Sequence, residues 1–384
     1  MQFEWYVPTQ LFFGAGRFKE AAGLSLQLGR HALLLTSRAA MERLGHTQTL
    51  SAALEARGVA VTVFKDIEAT PTTHDVDRGA DLARRCGADH VIGLGGGSAL
   101  DCAKAIAGAA AGSRPSADYL YGRASVDSAL PLLAIPTTAG TGSEMNRSAI
   151  LTDPVRRFKD GIRGDRLFPR FAIVDPLLTY DLPREVTAQT GFDALAHAVE
   201  SYVSPRAQPA ADGLALRAIE AVREHLPSVL QDAHDAAGRS ALALAATTMG
   251  FNLSCVGTCL PHRIDKAICA LHPTITHGLC IALLYRAWAA HCWHGNVARF
   301  AEITKILDPS TSDLPETNRA AMFSEVAANF IQKVGLGRSA RDLGVTRADV
   351  PAVLERVTGD IRVNPVPVTR DDLSEILGVV LTSG

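Results

Sequence analysis

The sequence predicts a two-domain protein, with an α/β domain over residues 1–182 followed by an all-helical domain over residues 183–384. The first half alternates short apolar runs rich in β-branched residues with helix-period segments, which is typical of a parallel sheet covered by helices on both faces. After Asp175–Pro183 the pattern changes to long Ala/Leu-rich helices. Since 384 residues are enough for two cores, we expect the two domains to abut with a cleft between them.

Individual elements follow from hydrophobic periodicity. Predicted strands are His31–Thr36, Val59–Phe64, His90–Leu94 and Leu132–Ile135, and predicted helices between them are Met41–Arg57, Val76–Cys86 and Leu100–Ala111. Predicted helices of the second domain include Ala210–Leu226, Arg239–Ser254, Gly278–His291 and Met322–Lys333. The alternating segment Phe3–Phe13 predicts a leading strand or an arm that reaches a partner subunit.

Composition excludes several classes of function. A net charge of -2 gives no basic surface for nucleic acid or for an anionic membrane. Residues Met1–Phe13 lack the features of a signal peptide, and no uninterrupted apolar run is long enough to span a bilayer. Seven scattered cysteines, an odd number, indicate reduced thiols. We therefore expect a cytoplasmic protein whose partners are small molecules.

A carboxylate and a histidine lie four residues apart in the segment GFDALAHAVES, which contains Asp193 and His197. On a helix this spacing places both side chains on one face. With two later histidines, His262 and His277, they would form a mixed oxygen and nitrogen site for a divalent metal. The alternative interpretation is an ordinary surface pair, because twelve histidines make chance spacings common.

A glycine-rich turn, Gly93–Ser98, follows a predicted strand and opens a helix. Glycines allow close approach of a phosphate, and the helix N-terminus offers free N–H donors. The alternative is a tight turn that needs glycine for packing alone. The motif differs from G-x-G-x-x-G at a first strand, so the sequence predicts a Rossmann-like domain rather than the standard fold.

A second polar loop, Pro136–Glu144, also follows a strand and contains four hydroxyl side chains and two glycines. Such a loop suits hydrogen bonds to ribose and phosphate, although Ser/Thr/Gly clusters also form ordinary loops. Its position after a strand of the same sheet favours a place at the ligand-binding edge.

Four ordered blocks, GGGSALDCAKAIA, PTTAGTGSE, FPRFAIVDPLLTYDLP and GFDALAHAVESYVS, resemble the iron-dependent (group III) alcohol dehydrogenases. The resemblance extends from Pro8 to about His291. It implies an α/β N-terminal Rossmann-like dinucleotide-binding domain plus an all-α C-terminal metal-binding domain, the dehydroquinate synthase-like two-domain plan. It also implies NAD or NADP in the cleft and Fe(II), with Zn or Mn as alternatives.

By this resemblance the metal ligands are Asp193, His197, His262 and His277. The gap between the last two is one residue longer than is usual in the family, and we place the insertion near His272–Pro273. His272 is therefore a competing ligand and also a candidate for proton transfer.

The resemblance also implies a set of cofactor-binding residues. Those for the pyrophosphate are Gly95, Gly96, Gly97 and Ser98, with Asp101 and Lys104 on the following helix; those for the ribose groups are Thr137, Thr138, Thr141 and Ser143. Lys159 matches a family lysine near the cofactor, but a solvated loop lysine is an equally good interpretation.

The chain departs from the family in two places. Many members carry Thr-Asp after the second strand, whereas this chain has Thr36, Ser37 and Arg38, so NADP is not excluded and Arg38 would either pair with its extra phosphate or face solvent. Lys266 replaces a pocket histidine. A cation there favours an anionic substrate, unless it pairs with the adjacent Asp265.

We therefore predict a metal-dependent NAD(P)-linked alcohol dehydrogenase or aldehyde reductase that acts on a small alcohol or aldehyde. Metal Lewis acidity and hydride transfer would carry the reaction. The alternatives are a dehydroquinate synthase-like lyase, a maleylacetate reductase-like enzyme, and a non-enzymatic relative whose metal site has decayed. A homodimer is the default assembly.

Overall fold

The computed structural model describes residues 2–65, 67–68 and 70–382, without the side chains of residues 38 and 39. The chain divides into two compact units, Trp5–Asp181 and the part from Leu182 onward, with which residues 2–4 are grouped. Within the described ranges, no helix is both long and apolar enough to cross a membrane.

The first unit is built on a parallel sheet. Its strands are β1 (Gln10–Phe13), β2 (His31–Thr36), β3 (Ala60–Phe64), β4 (His90–Gly95), β5 (Leu132–Pro136) and, after a separate hairpin, β8 (Phe171–Val174). Their order across the sheet is β1-β8-β5-β4-β2-β3, and every neighbouring pair is parallel. The helices of this unit are α1 (Ala21–Leu28), α2 (Arg38–Arg43), α3 (His46–Glu55), α4 (Thr73–Cys86), α5 (Gly97–Ala111) and α6 (Ser116–Leu120).

Helices cover both faces of this sheet, as the sequence predicts. Successive side chains of a strand point to opposite faces, and β2 shows the result. Leu33 and Leu35 pack in one core with residues of α4 and α5, whereas Leu34 packs in a second core with residues of α1 and α3. Burial on both faces explains why the strands are continuous apolar runs rather than alternating ones.

Two local predictions differ from the structure, and one hairpin was not predicted. The predicted helix Met41–Arg57 is two helices, α2 and α3, because Gly45 between them adopts a left-handed conformation with φ 76°. In the segment Phe3–Phe13 only the last four residues form a strand. A two-stranded antiparallel hairpin, β6 (Ser148–Asp153) and β7 (Phe158–Arg163), was not predicted because its second strand is polar and contains Gly161.

The second unit is helical, as predicted. Its helices are α7 (Arg184–Val203), α8 (Pro209–Gln231), α9 (Ala236–Cys255), α10 (Pro261–Leu271), α11 (His277–Cys292), α12 (Val297–Leu307), α13 (Glu316–Ala321), α14 (Phe323–Lys333), α15 (Val350–Arg356) and α16 (Arg370–Thr382). Helix α7 is buried along most of its length because α8, α9 and α11 all pack against it. Its polar side chains therefore need partners inside the unit.

Candidate metal centre and nucleotide-binding loops

Three helices of the second unit bring four predicted metal ligands together. Asp193 and His197 lie on α7, His262 lies in the first turn of α10, and His277 begins α11. The Oδ1 atom of Asp193 is 3.3 Å from Nε2 of His262, 3.3 Å from Nε2 of His277 and 3.5 Å from Nε2 of His197. Three ring nitrogens thus converge on one buried carboxylate oxygen.

Two further carboxylates orient the imidazole rings. His262 Nδ1 donates a hydrogen bond to Glu200 Oε1 at 2.7 Å, and His277 Nδ1 donates one to Asp265 Oδ2, also at 2.7 Å. Each contact fixes the ring and leaves Nε2 directed at the centre of the cluster. The sequence analysis missed both roles. The available signal was spacing, because Glu200 lies seven residues after Asp193 on one face of α7.

The electrostatic environment of this cluster favours positive charge on two of its imidazoles and negative charge on Asp193. Burial by itself raises the pKa of Asp193, but the imidazoles around it outweigh burial and hold the pKa well below its usual value. Burial lowers the pKa of His262, yet Glu200 and Asp193 raise it to about 9. For His277 the effect of burial is likewise exceeded by Asp265 and Asp193, so its pKa lies well above the ordinary value.

These side chains fit a divalent transition metal. The carboxylate oxygen and the ring nitrogens of Asp193, His262 and His277 all lie within 4.8 Å of one another, so one ion could contact all three. Imidazole and carboxylate ligands suit Fe(II), Zn(II) and Mn(II). A bound cation would replace only protons on the Nε2 atoms, and the Nδ1 protons would stay in their hydrogen bonds to Glu200 and Asp265.

The structure separates His272 from this cluster. His272 follows the last residue of α10, and its Nε2 atom lies 3.4 Å from Asp349 Oδ1. His277, at the start of the next helix, occupies the position beside Asp193 instead. The geometry therefore favours His277 over His272 as the fourth ligand.

The glycine-rich turn of the first unit makes close contacts with two other loops. Gly95 has φ 154°, a conformation that favours glycine. A Cβ atom at Gly95 would collide with the Ser37 side chain, and one at Gly97 would lie 2.5 Å from Thr141 Cγ2. A Cβ at Gly96 would lie 3.1 Å from Thr138 Cγ2. The structure thus brings predicted cofactor residues from three loops together at the carboxyl edge of the sheet.

The same turn leads into the N-terminus of α5, a 15-residue helix. Gly96 is the N-cap residue and offers no side-chain cap, while Ser98 in the first turn is exposed. Uncapped N–H groups and the positive end of the helix dipole form a site that suits a pyrophosphate. Thr137 is buried beside this turn, and its N–H donates to the Gly95 carbonyl at 2.9 Å.

Asp101 and Ser143 contact each other. The Ser143 hydroxyl donates to Asp101 Oδ1 at 2.5 Å, and the buried ammonium of Lys104 lies 3.2 Å from the same oxygen. Lys104 also donates to the Ser143 carbonyl and to Asn146 Oδ1, each at 3.1 Å. These bonds tie the second polar loop to α5. In this arrangement Asp101, Lys104 and Ser143 hold the loop in place.

The remaining predicted cofactor residues are Lys159, Arg38 and Ser37, and of these Ser37 lies against the glycine-rich turn. Lys159 is buried on β7. Ser37 directly follows β2 and is half-buried. The predicted contact of Arg38 with a 2′-phosphate lies outside the described side chains.

Two family models match the chain. Iron-containing alcohol dehydrogenase matches residues 8–176, and the C-terminal domain of the Fe-containing alcohol dehydrogenase family matches residues 187–381. The chain belongs to the iron-containing alcohol dehydrogenase family. It is therefore an oxidoreductase that acts on CH–OH groups, and the lyase-type and maleylacetate reductase-like alternatives are not favoured.

Relatives of this alcohol dehydrogenase match along almost their whole length. NAD-dependent methanol dehydrogenase of Bacillus methanolicus is 28% identical over 97% of this chain and 98% of its own. An archaeal alcohol dehydrogenase from a Red Sea brine pool has a TM-score of 0.92 and 30% identity, covering 99% of both chains. Sulfoacetaldehyde reductase of Bifidobacterium kashiwanohense, solved with NAD+, has a TM-score of 0.87 and 28% identity, covering 100% of both chains.

Proposed function

We propose that this alcohol dehydrogenase reduces a small aldehyde with NADH or NADPH, and catalyses the reverse oxidation, at a metal held by Asp193, His197, His262 and His277. The convergence of three Nε2 atoms on Asp193 Oδ1, at 3.3–3.5 Å, is the observation that carries the proposal. Fe(II) is the proposed ion.

The bound groups would supply two kinds of chemistry: Lewis acidity at the substrate oxygen from the metal, and a hydride donor or acceptor from the nicotinamide. The protein would do the positioning. Glu200 and Asp265 hold two of the rings in the tautomer that presents Nε2. Asp193 provides the negative charge that balances the cation in a buried site.

The nucleotide would be held by the first unit. We propose that the backbone of Gly95–Gly97 and the N-terminus of α5 contact the pyrophosphate, together with Ser98. Thr137 and Thr138 would contact the adenine-side ribose, and Thr141 the nicotinamide-side ribose. Asp101, Lys104 and Ser143 would act by holding the loop, as their contacts with one another support. Lys159 would lie close to the cofactor.

Cofactor choice follows from the end of β2. Ser37 carries no charge there, so this side chain does not repel the 2′-phosphate of NADP. We expect turnover with both nucleotides. We propose that Arg38 pairs with that 2′-phosphate, and rejection of NADPH would contradict this pairing.

We also propose a cytoplasmic homodimer. All seven cysteines are free thiols, which suits a reducing compartment. Strand β1 is at one end of the sheet order, and an edge strand offers backbone groups for pairing with a second copy. Light scattering during size-exclusion chromatography tests the assembly, and a monomeric mass would contradict it.

The activity test uses protein purified without oxygen and loaded with Fe(II), Zn(II) or Mn(II). Oxidation of NADH and NADPH is followed with small aldehydes, half of them neutral and half carrying an anionic group. His262→Ala should abolish turnover and metal binding, because it removes one ring of the cluster. His294→Ala, at an exposed histidine, is the matched control and should retain both.

Three outcomes would contradict the proposal. Turnover that survives in His262→Ala would show that the reaction does not depend on the proposed metal site. Wild-type protein that binds metal and nucleotide but reduces none of the aldehydes would contradict the proposed reduction of small aldehydes. Wild-type protein that binds no metal would be a nucleotide-binding relative without the proposed chemistry.

A further inference from the structure

Two cysteines and a carboxylate meet beside the histidine cluster around Asp193. Cys269 lies near the end of α10 and Cys280 in the first turn of α11, while Asp265 precedes Cys269 by four residues and shares its helix face. All three side chains are buried, and no disulfide joins the two cysteines. One carboxylate oxygen and the two sulfur atoms lie within 4.8 Å of one another. We call these three residues the cysteine cluster.

The two oxygens of the Asp265 carboxylate face different clusters. Oδ2 accepts a hydrogen bond from His277 Nδ1 at 2.7 Å, and Oδ1 accepts one from the Cys269 thiol at 3.0 Å. The same sulfur lies 3.5 Å from the carbonyl oxygen of Ile275, in the loop between α10 and α11. A thiol has one proton for these two oxygens, whereas a metal ion binds sulfur and oxygen atoms together. Two sulfurs and two oxygens would complete a tetrahedral set of ligands.

The spacing of these atoms is close to that around a bound zinc ion. Zn–S bonds of about 2.3 Å and Zn–O bonds of about 2.0–2.2 Å, in tetrahedral geometry, place two sulfurs about 3.8 Å apart and a sulfur and an oxygen about 3.5 Å apart. In the structure Cys269 Sγ is 3.0 Å from Asp265 Oδ1, and no two of the three ligand atoms are more than 4.8 Å apart. Side-chain shifts of about 0.5–1 Å would therefore admit an ion, which takes the place of the thiol protons and needs no open cavity.

The charges around the cysteine cluster suit a divalent ion. Metal binding requires thiolates, and two thiolates carry the negative charge that balances one divalent cation. Cys280 lies near the N-terminus of α11, a 16-residue helix whose dipole favours negative charge at that end. Lys266 is the neighbouring cation on α10, but adjacent helical residues do not face each other, and its Nζ atom donates to Thr358 Oγ1 at 2.7 Å. This contact holds the ammonium at the loop that follows α15.

We propose that Asp265, Cys269 and Cys280 form a second metal site, for Zn(II), that is separate from the histidine cluster. Thiolate ligands favour Zn(II) over the harder ions Mg(II) and Mn(II), which prefer oxygen ligands. The ion links α10 to α11, the helices that carry His262 and His277, so its role is structural. Because Asp265 also accepts the hydrogen bond from His277, the second ion fixes the carboxylate that orients this ring.

Absorption spectroscopy separates the two sites, because only the cysteine cluster has sulfur ligands. Co(II) is supplied to the growing cells and again to the purified, reduced protein, so that burial does not prevent its entry, and bound metal is counted by mass spectrometry. Thiolate ligands give Co(II) a charge-transfer band in the near ultraviolet, which carboxylate and imidazole ligands do not. We expect this band in wild-type protein and also in His262→Ala, which disrupts the histidine cluster but removes no sulfur. The result does not depend on whether any aldehyde is reduced.

Cysteine variants test the assignment of the ligands. Cys269→Ser combined with Cys280→Ser removes both sulfur ligands and should lose the band together with one bound ion per chain. Cys102→Ala, at a buried cysteine of α5, is the matched control and should keep both, and circular dichroism checks that each variant is folded. Reduced wild-type protein that is saturated with Co(II) and shows no band would overturn the proposal. A band that persists in the double variant would do so as well, because the ion would then lie at another cysteine.

A measurement on zinc itself needs no cysteine variant. His262→Ala is loaded with Zn(II), and X-ray absorption at the zinc edge gives the neighbours of the ion. Sulfur neighbours at about 2.3 Å are expected, because the cysteine cluster is intact in this variant. Oxygen and nitrogen neighbours alone would overturn the second site even if the double cysteine variant failed to fold.

Discussion

Glu200→Gln tests whether a buried carboxylate outside the proposed set of metal ligands controls metal affinity. Glu200 is fully buried on α7, and it accepts two hydrogen bonds, from His262 Nδ1 at 2.7 Å and from the Cys259 N–H at 2.8 Å. Glutamine has the same shape but no charge. Its single carbonyl oxygen can accept from only one of the two donors, and the other donor meets an amide NH2 group. Even when His262 keeps this neutral acceptor, it becomes a weaker base toward the metal.

The size of the expected loss in metal affinity follows from the hydrogen bond between Glu200 and His262. A hydrogen bond to a charged group contributes about 1.5–3 kcal/mol and a neutral one about 0.5–1.5 kcal/mol, so the bond to His262 should lose about 1–2 kcal/mol. That loss corresponds to metal affinity weaker by roughly 5- to 30-fold, within the range usual for groups that orient metal-binding histidines.

The assay is competition for Zn(II) or Co(II) against a chelator of known affinity, with metal content measured by mass spectrometry. Circular dichroism checks that the variant is folded. Glu224→Gln, at an exposed position of α8, is the matched control and should bind metal like wild type. Unchanged affinity in folded Glu200→Gln would refute the argument that this carboxylate tunes His262.

Two further predictions concern the first unit. Gly97→Ala places a Cβ atom 2.5 Å from Thr141 Cγ2, so calorimetry should show NADH binding about tenfold more weakly, an effect typical of overpacking. In the control Gly213→Ala the new Cβ meets nothing within 4 Å, and NADH affinity should not change. Equal NADH affinities in the two variants would contradict the proposed role of the glycine-rich turn. Burial lowers the pKa of His90 in the folded protein despite its neighbouring carboxylate. As the pH drops through about 6.5, the imidazole is therefore protonated in the unfolded chain before it is protonated in the folded one. The free energy of unfolding should then fall by at most about 1.4 kcal/mol per pH unit. Urea unfolding should show a weaker pH dependence of stability in His90→Asn and an unchanged one in His294→Asn, at an exposed histidine. Identical pH dependence in the two variants would contradict the role of His90.

Local sequence patterns determined the elements of this protein. Apolar runs predicted strands β2, β3, β4 and β5 of the parallel sheet, because both faces of that sheet are buried and the runs are continuous, whereas the short strand β8 was not predicted. The four-residue spacing of Asp193 and His197 predicted that the two side chains lie close together, since a helix without a breaker places both on one face. The glycines before α5 predicted close approach of a phosphate, and the structure shows that Cβ atoms at these positions would meet side chains of neighbouring loops.

Contacts between distant segments were decided only by the tertiary structure. Spacing alone left His272 and His277 as competitors, and the packing of α10, α11 and α7 brings His277 to Asp193. Asp265 became recognisable only through its contact with His277. Periodicity specifies which face of a helix a residue occupies, but the neighbour of that face depends on how helices far apart in sequence pack. The sequence therefore determined the elements and their buried faces, and packing determined which side chains meet.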